Sequence, residues 1–325
     1  MIDRESRLEL LAHVASLYYD HHKNQQEIAE EIGVTRSAVS RLLGEAHNVG
    51  IVEHIIHYPQ RTVPVLEKAL TAAFDLKYVR VLSRQMKTYE EMLKGLGNLA
   101  AQYFTSILPN ISIVGITWGT GLYHRVKAFR PQLRPDMEIV QVIGCTGTEK
   151  GSAIGPLLAP NLANSLGCSC RFLHAPILIR NVTARNALLQ DRSIRETLEI
   201  GEKCDIALVG IGAITPELYN PYLLGYVTRE ELEQMNAEGI IGDVAFLHYN
   251  IYGEVLVDSF INQLAIGIGL EAIRKIPLVM AVAGGHQKGE GILGALRGKL
   301  VNALITDDTA ARRVLELNDQ FPPPV

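Results

Sequence analysis

The sequence predicts an α/β protein in two parts: a small helical domain over residues 1–58, followed by a larger, mostly parallel α/β domain over residues 59–325. Three observations lead to this prediction. Apolar residues recur at helical spacing in the first part, the stretch "YPQRTVP" interrupts that pattern, and uninterrupted apolar strands alternate with helices beyond it. Such strands are typical of a parallel sheet that is covered on both faces.

The composition of the 325 residues, 47% hydrophobic and 20% charged, is that of an ordinary globular protein. The longest uncharged run, Gly95 to His124, is broken by Pro109 and Asn110, so we expect a helix, a turn and a strand there rather than a membrane span. Charged residues at the very start argue against a signal peptide. We therefore expect a cytoplasmic protein that makes no use of a membrane.

The four cysteines are too few to cross-link a chain of this length, which favours a reducing compartment. Cys168 and Cys170, together with His174, have a spacing that some metal sites use, but no second pair of ligands follows. We therefore predict small buried thiols, no metal and no cofactor; the cysteines are Cys145, Cys168, Cys170 and Cys204.

Three helices are predicted in the first 58 residues. The first runs from about Arg4 to Asp20, and the second covers Gln25 to Ile32 and ends at Gly33. Thr35 is a good N-cap for the third, which runs to about residue 45 or 47. After Gly50, the stretch "IVEHIIHY" alternates like a strand and is a candidate wing beside the helices.

The second and third helices have the spacing of a helix-turn-helix. Ala29 is small where two crossing helices approach, Gly33 makes the tight turn, and Val39 returns an apolar group to the same core. Val34, Leu42 and Leu43 are predicted to complete that core. The residues left outward on the third helix are two cations and three hydroxyls, which suit phosphates and base edges in a major groove. With Gln25, the predicted DNA-binding residues are Thr35, Arg36, Ser37, Ser40 and Arg41.

An ordinary helical hairpin with a solvated face is the alternative interpretation, and the charge of the chain bears on it. The whole chain has 31 Lys and Arg against 35 Asp and Glu, and the first 58 residues have 5 against 9. A duplex meets only one face of a domain, so acidic residues elsewhere do not prevent binding. They do predict weak non-specific attachment, and hence dimers or larger assemblies on DNA.

Seven apolar strands are predicted in the larger domain: Tyr78–Ser83, Ile111–Ile116, Glu138–Ile143, Arg171–Pro176, Asp205–Gly210, Leu278–Ala283 and Asn302–Thr306. Helical stretches such as Tyr89–Leu108, Gly155–Leu166, Ile194–Gly201 and Gly289–Leu300 lie between them. The stretch "GDVAFLHYNIYGEVLVD" predicts an inserted hairpin with its turn at Tyr252 and Gly253.

Four of these strands are followed by glycine-rich turns: "GITWGTG" (115–121), "GCTGT" (144–148), "GIGAI" (210–214) and "GGHQKG" (284–289). Ligands of open α/β sheets lie at the carboxyl ends of the strands. Such turns favour an anion cradle of backbone N–H groups and hydroxyls over plain turn chemistry. The candidate effector-binding residues in them are Thr117, Trp118, Gly119, Thr120, Gly144, Thr146, Gly147 and Gly212.

Lys288 and Asp243 complete the candidate site. Lys288 stands at the start of a predicted helix, where the helix dipole disfavours a cation by roughly 0.3–1 kcal/mol. A bound phosphate would explain the lysine there, and the alternative is a stem that points into solvent. Asp243 is a candidate acceptor for ligand hydroxyls or, alternatively, a turn-forming residue. Trp118 either walls the pocket or packs in the core.

The chain resembles the SorC/DeoR-type bacterial transcriptional regulators with a C-terminal sugar-binding domain. The resemblance covers nearly the whole chain and rests on "QQEIAEEIGVTRSAVSRLL", "VGITWGTGL", "GDVAFLHYNIYGEVL" and "VAGGHQKGEGILGALRGKLVNALITDD". It implies a Rossmann-like effector domain related to sugar-phosphate isomerases and glucosamine-phosphate deaminases. It also implies homotetramers that bind operator DNA and respond to a phosphorylated sugar or polyol.

Two positions depart from the family pattern. The usual W-G-x-T is Trp118-Gly119-Thr120-Gly121 here, and Gln263 stands where many members have an arginine. The leading hypothesis is a ligand-responsive DNA-binding regulator without catalytic residues. One alternative is a sugar-phosphate isomerase or deaminase fused to a DNA-binding module, although no recognisable catalytic set surrounds Asp243 and Lys288. The other is a DNA-binding protein whose sugar domain serves only as an oligomerisation scaffold.

Overall fold

Capping and turn residues divide the N-terminal part of the chain into three helices. A computed structural model describes residues 4–52, 60–84, 88–145 and 157–322. It shows helices α1 (Arg4–Tyr19), α2 (Gln25–Ile32) and α3 (Arg36–Asn48). Asn24 caps α2, Gly33 ends it with a φ of 71°, and the Thr35 hydroxyl caps α3. The predicted helices and the glycine turn are therefore confirmed.

The core of this unit joins all three helices. It contains Leu11, Val14, Ile28, Ala29, Val39, Leu42, Leu43 and Ala46. Val34 was predicted to belong to it, and this prediction is wrong, since the residue is 39% exposed. The left-handed turn at Gly33 places Val34 outside both helices, just before the cap, and side chains of α1 fill the core instead. Most of the predicted wing strand, residues 53–58, lies outside the described residues.

The chain divides into two units, Met1–Tyr58 and Pro59–Val325. The helices of the second unit are α4 (Pro64–Phe74), α5 (Tyr89–Ile107), α6 (Thr120–Ala128), α7 (Leu158–Leu166), α8 (Val182–Leu189), α9 (Arg192–Gly201), α10 (Asn220–Leu223), α11 (Arg229–Ala237), α12 (Phe260–Leu264), α13 (Leu270–Lys275), α14 (Gly289–Arg297) and α15 (Asp308–Gln320). Its strands are β1 (Tyr78–Leu82), β2 (Ile113–Ile116), β3 (Glu138–Gln141), β4 (Ser169–Arg171), β5 (Ile206–Val209), β6 (Gly212–Ala213), β7 (Gly242–Val244), β8 (Leu247–Tyr249), β9 (Leu278–Val282) and β10 (Ala303–Asp307). Across the ranges given above, no helix has the length and apolar character needed to cross a membrane.

Seven of these strands form one parallel sheet in the order β1-β10-β9-β5-β2-β3-β4, which confirms the predicted fold class. The prediction for β4 was displaced, because the strand ends at Arg171 rather than beginning there. Beyond Arg171 the chain makes single bridges instead, from Pro176 to Cys145 and from Leu178 to Ala265. Apolar residues continue to alternate from the strand into the stretch with single bridges. The sequence pattern alone therefore does not show where the paired strand ends.

The strand order creates a crevice between β2 and β5. The chain leaves β2 toward β3 and leaves β5 toward β9, in opposite directions from two neighbouring strands. Such a reversal opens a gap at the carboxyl edge of the sheet, where ligands of this fold class bind. The turns that follow β2, β5 and β9 therefore meet at one place.

A second sheet, β6-β7-β8, is antiparallel and contains the predicted hairpin. Its strands β7 and β8 are joined at Ala245 and Phe246, a turn that was not predicted, while the predicted turn at Tyr252 and Gly253 is a second reversal bracketed by the antiparallel bridge between Tyr249 and Val255. Ala245 and Phe246 both have positive φ, 51° and 64°, and the Asp243 carboxylate accepts a hydrogen bond from the Phe246 N–H at 3.3 Å. Neither residue is a usual choice for left-handed backbone, so the turn has no sequence signal. Tyr252 and Gly253 lie in a further turn.

Candidate functional site

The face of α3 that was predicted to meet DNA is open to solvent. Thr35, Arg36, Ser37, Ser40 and Arg41 are all exposed, and Gln25 at the start of α2 is partly buried. The Thr35 hydroxyl accepts a hydrogen bond from the Ala38 N–H at 3.2 Å, so this residue also holds the start of the helix. The five side chains thus form one polar face without an acid.

Several acidic residues of this unit are engaged elsewhere. Glu27 completes the capping box of α2, and Glu31 accepts a hydrogen bond from Lys23 at 2.5 Å. Glu45 pairs with Arg7 and links α3 to α1. Each of the two ion pairs also occupies a basic side chain, so the net charge of the unit is unchanged. The exposed face of α3 nevertheless carries Arg36 and Arg41 without an acidic residue.

A cavity of about 290 Å³ lies at the carboxyl ends of β2, β5 and β9. Six of the predicted effector-binding residues line it: Thr117, Trp118, Gly119, Gly212, Asp243 and Lys288. Thr120 begins α6 beside this edge of the sheet, and Thr146 and Gly147 lie outside the described residues. The predicted convergence of the glycine-rich turns is therefore seen for three of the four stretches.

The ammonium group of Lys288 is enclosed at the end of the cavity formed by the turn after β5. Its Nζ donates a hydrogen bond to the carbonyl oxygen of Ile211 at 2.7 Å. Burial lowers the pKa of Lys288 to about 8, and the nearby Asp243 carboxylate opposes that shift. Lys288 also immediately precedes α14, as predicted. A partly desolvated cation at the start of a helix is well suited to an anionic ligand.

Asp243 lies on the adjacent wall, on β7, and pairs in register with Gly212 of β6. A β-carbon built on Gly212 would lie 1.7 Å from the Asp243 Oδ1 atom, so the carboxylate occupies the space above that glycine. The open backbone of Gly212 therefore positions Asp243 at the cavity, where its oxygens can accept hydrogen bonds.

Trp118 both walls the cavity and packs in the core, which were the two alternatives left open by the sequence. It lines the cavity and is only 9% exposed, and its indole N–H donates to the carbonyl oxygen of Gly144 at 3.0 Å. Gly144 itself does not line the cavity. A β-carbon there would lie 2.5 Å from the Pro176 carbonyl oxygen, so this glycine serves close packing between two segments rather than a ligand contact.

The two departures from the family pattern have different surroundings. Gly121 lines the cavity, and a β-carbon there would lie 2.7 Å from the backbone oxygen of Val282. Gln263 is exposed, donates a hydrogen bond to the Asp258 carbonyl oxygen at 3.4 Å, and does not line the cavity. Packing against β9 thus accounts for the glycine at position 121.

Sequence reasoning missed the wall that lies between β6 and α11. This wall consists of Glu217, Leu218, Tyr219, Asn220, Pro221 and Leu223. The hydroxyl of Tyr219 lies 2.7 Å from Nε2 of the buried His248. The two residues are 29 positions apart, and no local sequence pattern predicts such a contact.

The helix α14 packs backbone against backbone on the second sheet. A β-carbon on Gly291 would lie 2.6 Å from the Gly212 carbonyl oxygen, and one on Gly294 would lie 2.7 Å from that of Asn250. Side chains at these positions would separate the helix from the sheet. On β7 itself, a β-carbon on Gly242 would lie 2.9 Å from the Cα of Gly291, so the helix that follows Lys288 packs directly on the strand that carries Asp243.

All four cysteines are unpaired. Only Cys204 is fully buried, and burial raises its pKa to about 12; Cys145, Cys168 and Cys170 are partly buried, so the expectation of buried thiols is wrong for those three. The edge position of β4 leaves the last two accessible. Within the described ranges, no three His, Cys, Asp or Glu side chains are grouped in a way that would hold a metal ion.

The chain is similar to known proteins over most of its length. Residues 59–316 match the family model described as "Putative sugar-binding domain". The "Deoxyribonucleoside regulator" of Bacillus subtilis is 29% identical over 314 residues, which are 97% of this chain and 99% of that protein. The "Sorbitol operon regulator" of Klebsiella pneumoniae is 28% identical over 318 residues, which are 97% of this chain and 100% of that protein.

Solved structures agree with these matches. The full-length sorbitol operon regulator SorC from Klebsiella pneumoniae superposes with a TM-score of 0.70 at 28% identity and covers 95% of this chain and 99% of its own. A DeoR family transcriptional regulator from Listeria monocytogenes gives 0.71 at 26% identity, with 77% and 98% covered. The chain therefore belongs to the sugar-binding domain family of SorC- and DeoR-type transcriptional regulators.

Proposed function

We propose that this regulator reads operator DNA with α3 and is switched by a phosphorylated sugar or polyol bound in the cavity at the carboxyl edge of the sheet. The observation that carries the proposal is the pairing of opposite charges around that cavity. Lys288 provides a cation at one place, and Asp243 provides an acceptor for hydroxyls at another. A ligand with a phosphate and several hydroxyls matches both.

The phosphate is proposed to lie near Lys288 and the glycine-rich turns. A charge-assisted hydrogen bond from an ammonium group to a phosphate is about twice as strong as a neutral one. Backbone N–H groups at the start of α14 add to the attraction, because the helix dipole is positive there. Asp243 would repel the phosphate, so the sugar hydroxyls are proposed to face that residue.

A panel of sugar and polyol phosphates, each compared with its unphosphorylated parent, tests the effector class. A ligand at 100 times its Kd should stabilise the folded protein by about 2.7 kcal/mol, which is read as a rise in melting temperature. Phosphorylated compounds should stabilise the protein, and the parents should not. Stabilisation by parents alone would contradict the phosphate, and the absence of any stabilisation would favour the scaffold interpretation.

The regulator is proposed to act as a homotetramer on a two-fold symmetric operator. The N-terminal unit has only five Lys and Arg residues, so one copy neutralises few phosphates, and several copies are needed for useful affinity. Sedimentation at micromolar concentration, with and without operator DNA, should show a tetramer. A monomer under both conditions would refute this assembly.

We further propose that the protein is not an enzyme, requires no cofactor and works in the cytoplasm. The relatives that match nearly the whole chain are named as regulators, which supports a non-enzymatic role. Turnover assays with the phosphosugar panel test it directly, because an isomerase or deaminase would convert a compound that it binds. Conversion of any compound, lost in the Asp243→Asn and Lys288→Met variants, would overturn it.

A further inference from the structure

A buried histidine holds one tyrosine of the cavity wall. His248 of β8 is the cross-strand partner of Asp243 of β7, so their side chains lie on the same face of the hairpin. The Tyr219 hydroxyl is 2.7 Å from His248 Nε2, and both residues are buried. Tyr219 also lines the cavity. The protonated nitrogen of this histidine therefore determines whether the tyrosine hydroxyl can donate or accept a hydrogen bond with a ligand.

Asn262 determines which ring nitrogen of His248 carries the proton. Its Nδ2 donates to the carbonyl oxygens of His248 at 3.0 Å and Leu256 at 2.8 Å, and since carbonyl oxygens only accept, the orientation of the amide is settled. The Asn262 Oδ1 atom is then an acceptor. It accepts from the His248 backbone N–H at 2.9 Å and lies 3.0 Å from Nδ1, which must be the protonated nitrogen.

The remaining ring nitrogen of His248 can only accept. Burial lowers the pKa of His248, so the ring is neutral near pH 7 and Nε2 carries a lone pair. The single proton of the Tyr219 hydroxyl is therefore donated to His248 Nε2. The hydroxyl oxygen of Tyr219 can then only accept a hydrogen bond from a ligand, as the carboxylate of Asp243 does.

We infer that Tyr219 is a specificity-determining residue that, together with Asp243, recognises ligand hydroxyl groups and excludes a phosphate from this wall. A hydroxyl donates to these acceptors, whereas a phosphate dianion offers them no proton and is repelled by the carboxylate. His248 and Asn262 are positioning residues that keep Tyr219 in this state. The inference rests on the proposed function and adds which wall takes the sugar end of the ligand.

Pairs of sugar phosphates that differ by one hydroxyl test the role of Tyr219. Suitable probes are ribose 5-phosphate with 2-deoxyribose 5-phosphate, and glucose 6-phosphate with its 2-, 3- and 4-deoxy analogues. Binding is followed by the fluorescence of Trp118, the only tryptophan of the chain and a residue of the cavity wall. In the wild type, loss of the hydroxyl that meets Tyr219 should weaken binding about 3- to 10-fold.

In Tyr219→Phe, the two members of that pair should bind within about 2-fold of each other, because the ligand hydroxyl has lost its acceptor. Tyr249→Phe is the matched control. Tyr249 is also buried, and its hydroxyl donates to the Gly291 carbonyl oxygen at 2.8 Å, but it does not line the cavity. This control removes a buried hydroxyl from the hairpin that carries His248 and should leave the discrimination unchanged.

Two substitutions of His248 separate positioning from mere stability. His248→Gln places an amide near the Nε2 position and should retain part of the discrimination, whereas His248→Asn has no acceptor within reach of Tyr219 and should lose it. Discrimination in Tyr219→Phe equal to that of the wild type for every pair would overturn the inference and leave the proposed function standing. If no phosphorylated probe binds the wild type, the proposed function fails first, and the inference fails with it.

Discussion

The carboxylate of Asp243 lies over the bare backbone of Gly212, its register partner in the neighbouring strand. The space between them is too small for any side chain at position 212, since a β-carbon there would overlap the carboxylate oxygen. In the sequence, the glycine-rich turn and the acidic residue are 31 positions apart and look like separate signals. In the fold they lie together, and the space left by the glycine lets the carboxylate turn toward the cavity.

Replacing Gly212 by alanine should therefore weaken ligand binding, although Asp243 itself is not substituted. The added methyl group would push the carboxylate away, and we expect ligand affinity to fall at least 10-fold, as an acceptor to the ligand hydroxyls is lost. Calorimetric titration of the stabilising sugar phosphate measures the loss. Gly269→Ala is the control, because nothing lies near a β-carbon there. Equal affinity in Gly212→Ala and wild type would contradict the role of Asp243.

Gly121→Ala should destabilise the protein by about 1–3 kcal/mol. Its β-carbon would be forced against the Val282 backbone oxygen, and backbone cannot move aside as a flexible side chain does. Chemical denaturation measures the free energy of unfolding. An unchanged or higher stability would show that close packing is not the reason for glycine at this position.

Ligand binding should take up protons at alkaline pH. Because the pKa of Lys288 in the free protein is about 8, roughly half of its ammonium groups are neutral at that pH, and a bound phosphate raises the pKa again. Binding at pH 8 should thus take up about half a proton, and affinity should fall as the pH rises further. Calorimetry in buffers of different ionisation enthalpy measures the uptake.

Lys288→Arg gives the matched control for that measurement. The guanidinium group stays charged at every accessible pH, so phosphate preference should persist while proton uptake disappears. Lys288→Met should lose both. Proton uptake that persists in either variant would assign it to another group.

Arg36→Ala and Arg41→Ala should each weaken operator binding and leave the fold intact. If one of them contacts a guanine, roughly 1–3 kcal/mol should be lost at one base position. If both contact phosphates, the loss should be uniform across sequences, and the salt dependence of binding should become less steep. Arg192→Ala, an exposed arginine of α9, removes the same charge from the other unit and serves as the control. Unchanged operator affinity in both α3 variants would contradict the DNA-reading assignment.

Thr35 caps α3 and is also proposed to face DNA, and two substitutions separate these roles. Thr35→Ala should cost about 1 kcal/mol of stability through the lost cap. Thr35→Asp should retain the cap and still reduce operator affinity, because a negative charge would face the phosphates. Thermal denaturation and operator titration are measured on both variants. Full operator affinity in Thr35→Asp would place the start of α3 away from the duplex.

Much of this architecture is legible in the sequence because its signals are local. The strand and helix periodicities predict the parallel sheet, and the Gly33 turn and the Thr35 cap fall where the pattern places them. Lys288 and Asp243 are also found from the turns beside them. In each case, neighbouring residues alone determine the backbone that the motif requires.

The features that the sequence did not predict depend on distant partners. The Tyr219–His248 contact joins two segments that share no pattern, and Gly144 is explained only by its closeness to Pro176. Val34 shows the reverse case: an apolar residue is buried only if the turn directs it inward. The left-handed turn at Ala245 and Phe246 is maintained by the Asp243 carboxylate, which no turn propensity describes.

The glycine-to-backbone packing of α14 on the second sheet fixes the spacing between two walls of the cavity. The helix that begins beside Lys288 and the strand that carries Asp243 touch through main-chain atoms, so neither can roll or slide without breaking that contact. The two walls that carry Lys288 and Asp243 are thereby fixed relative to each other, while the long side chain of Lys288 keeps its own rotatable bonds. A bound molecule would therefore meet walls of fixed spacing, and any adjustment to its size would fall to side chains such as that of Lys288.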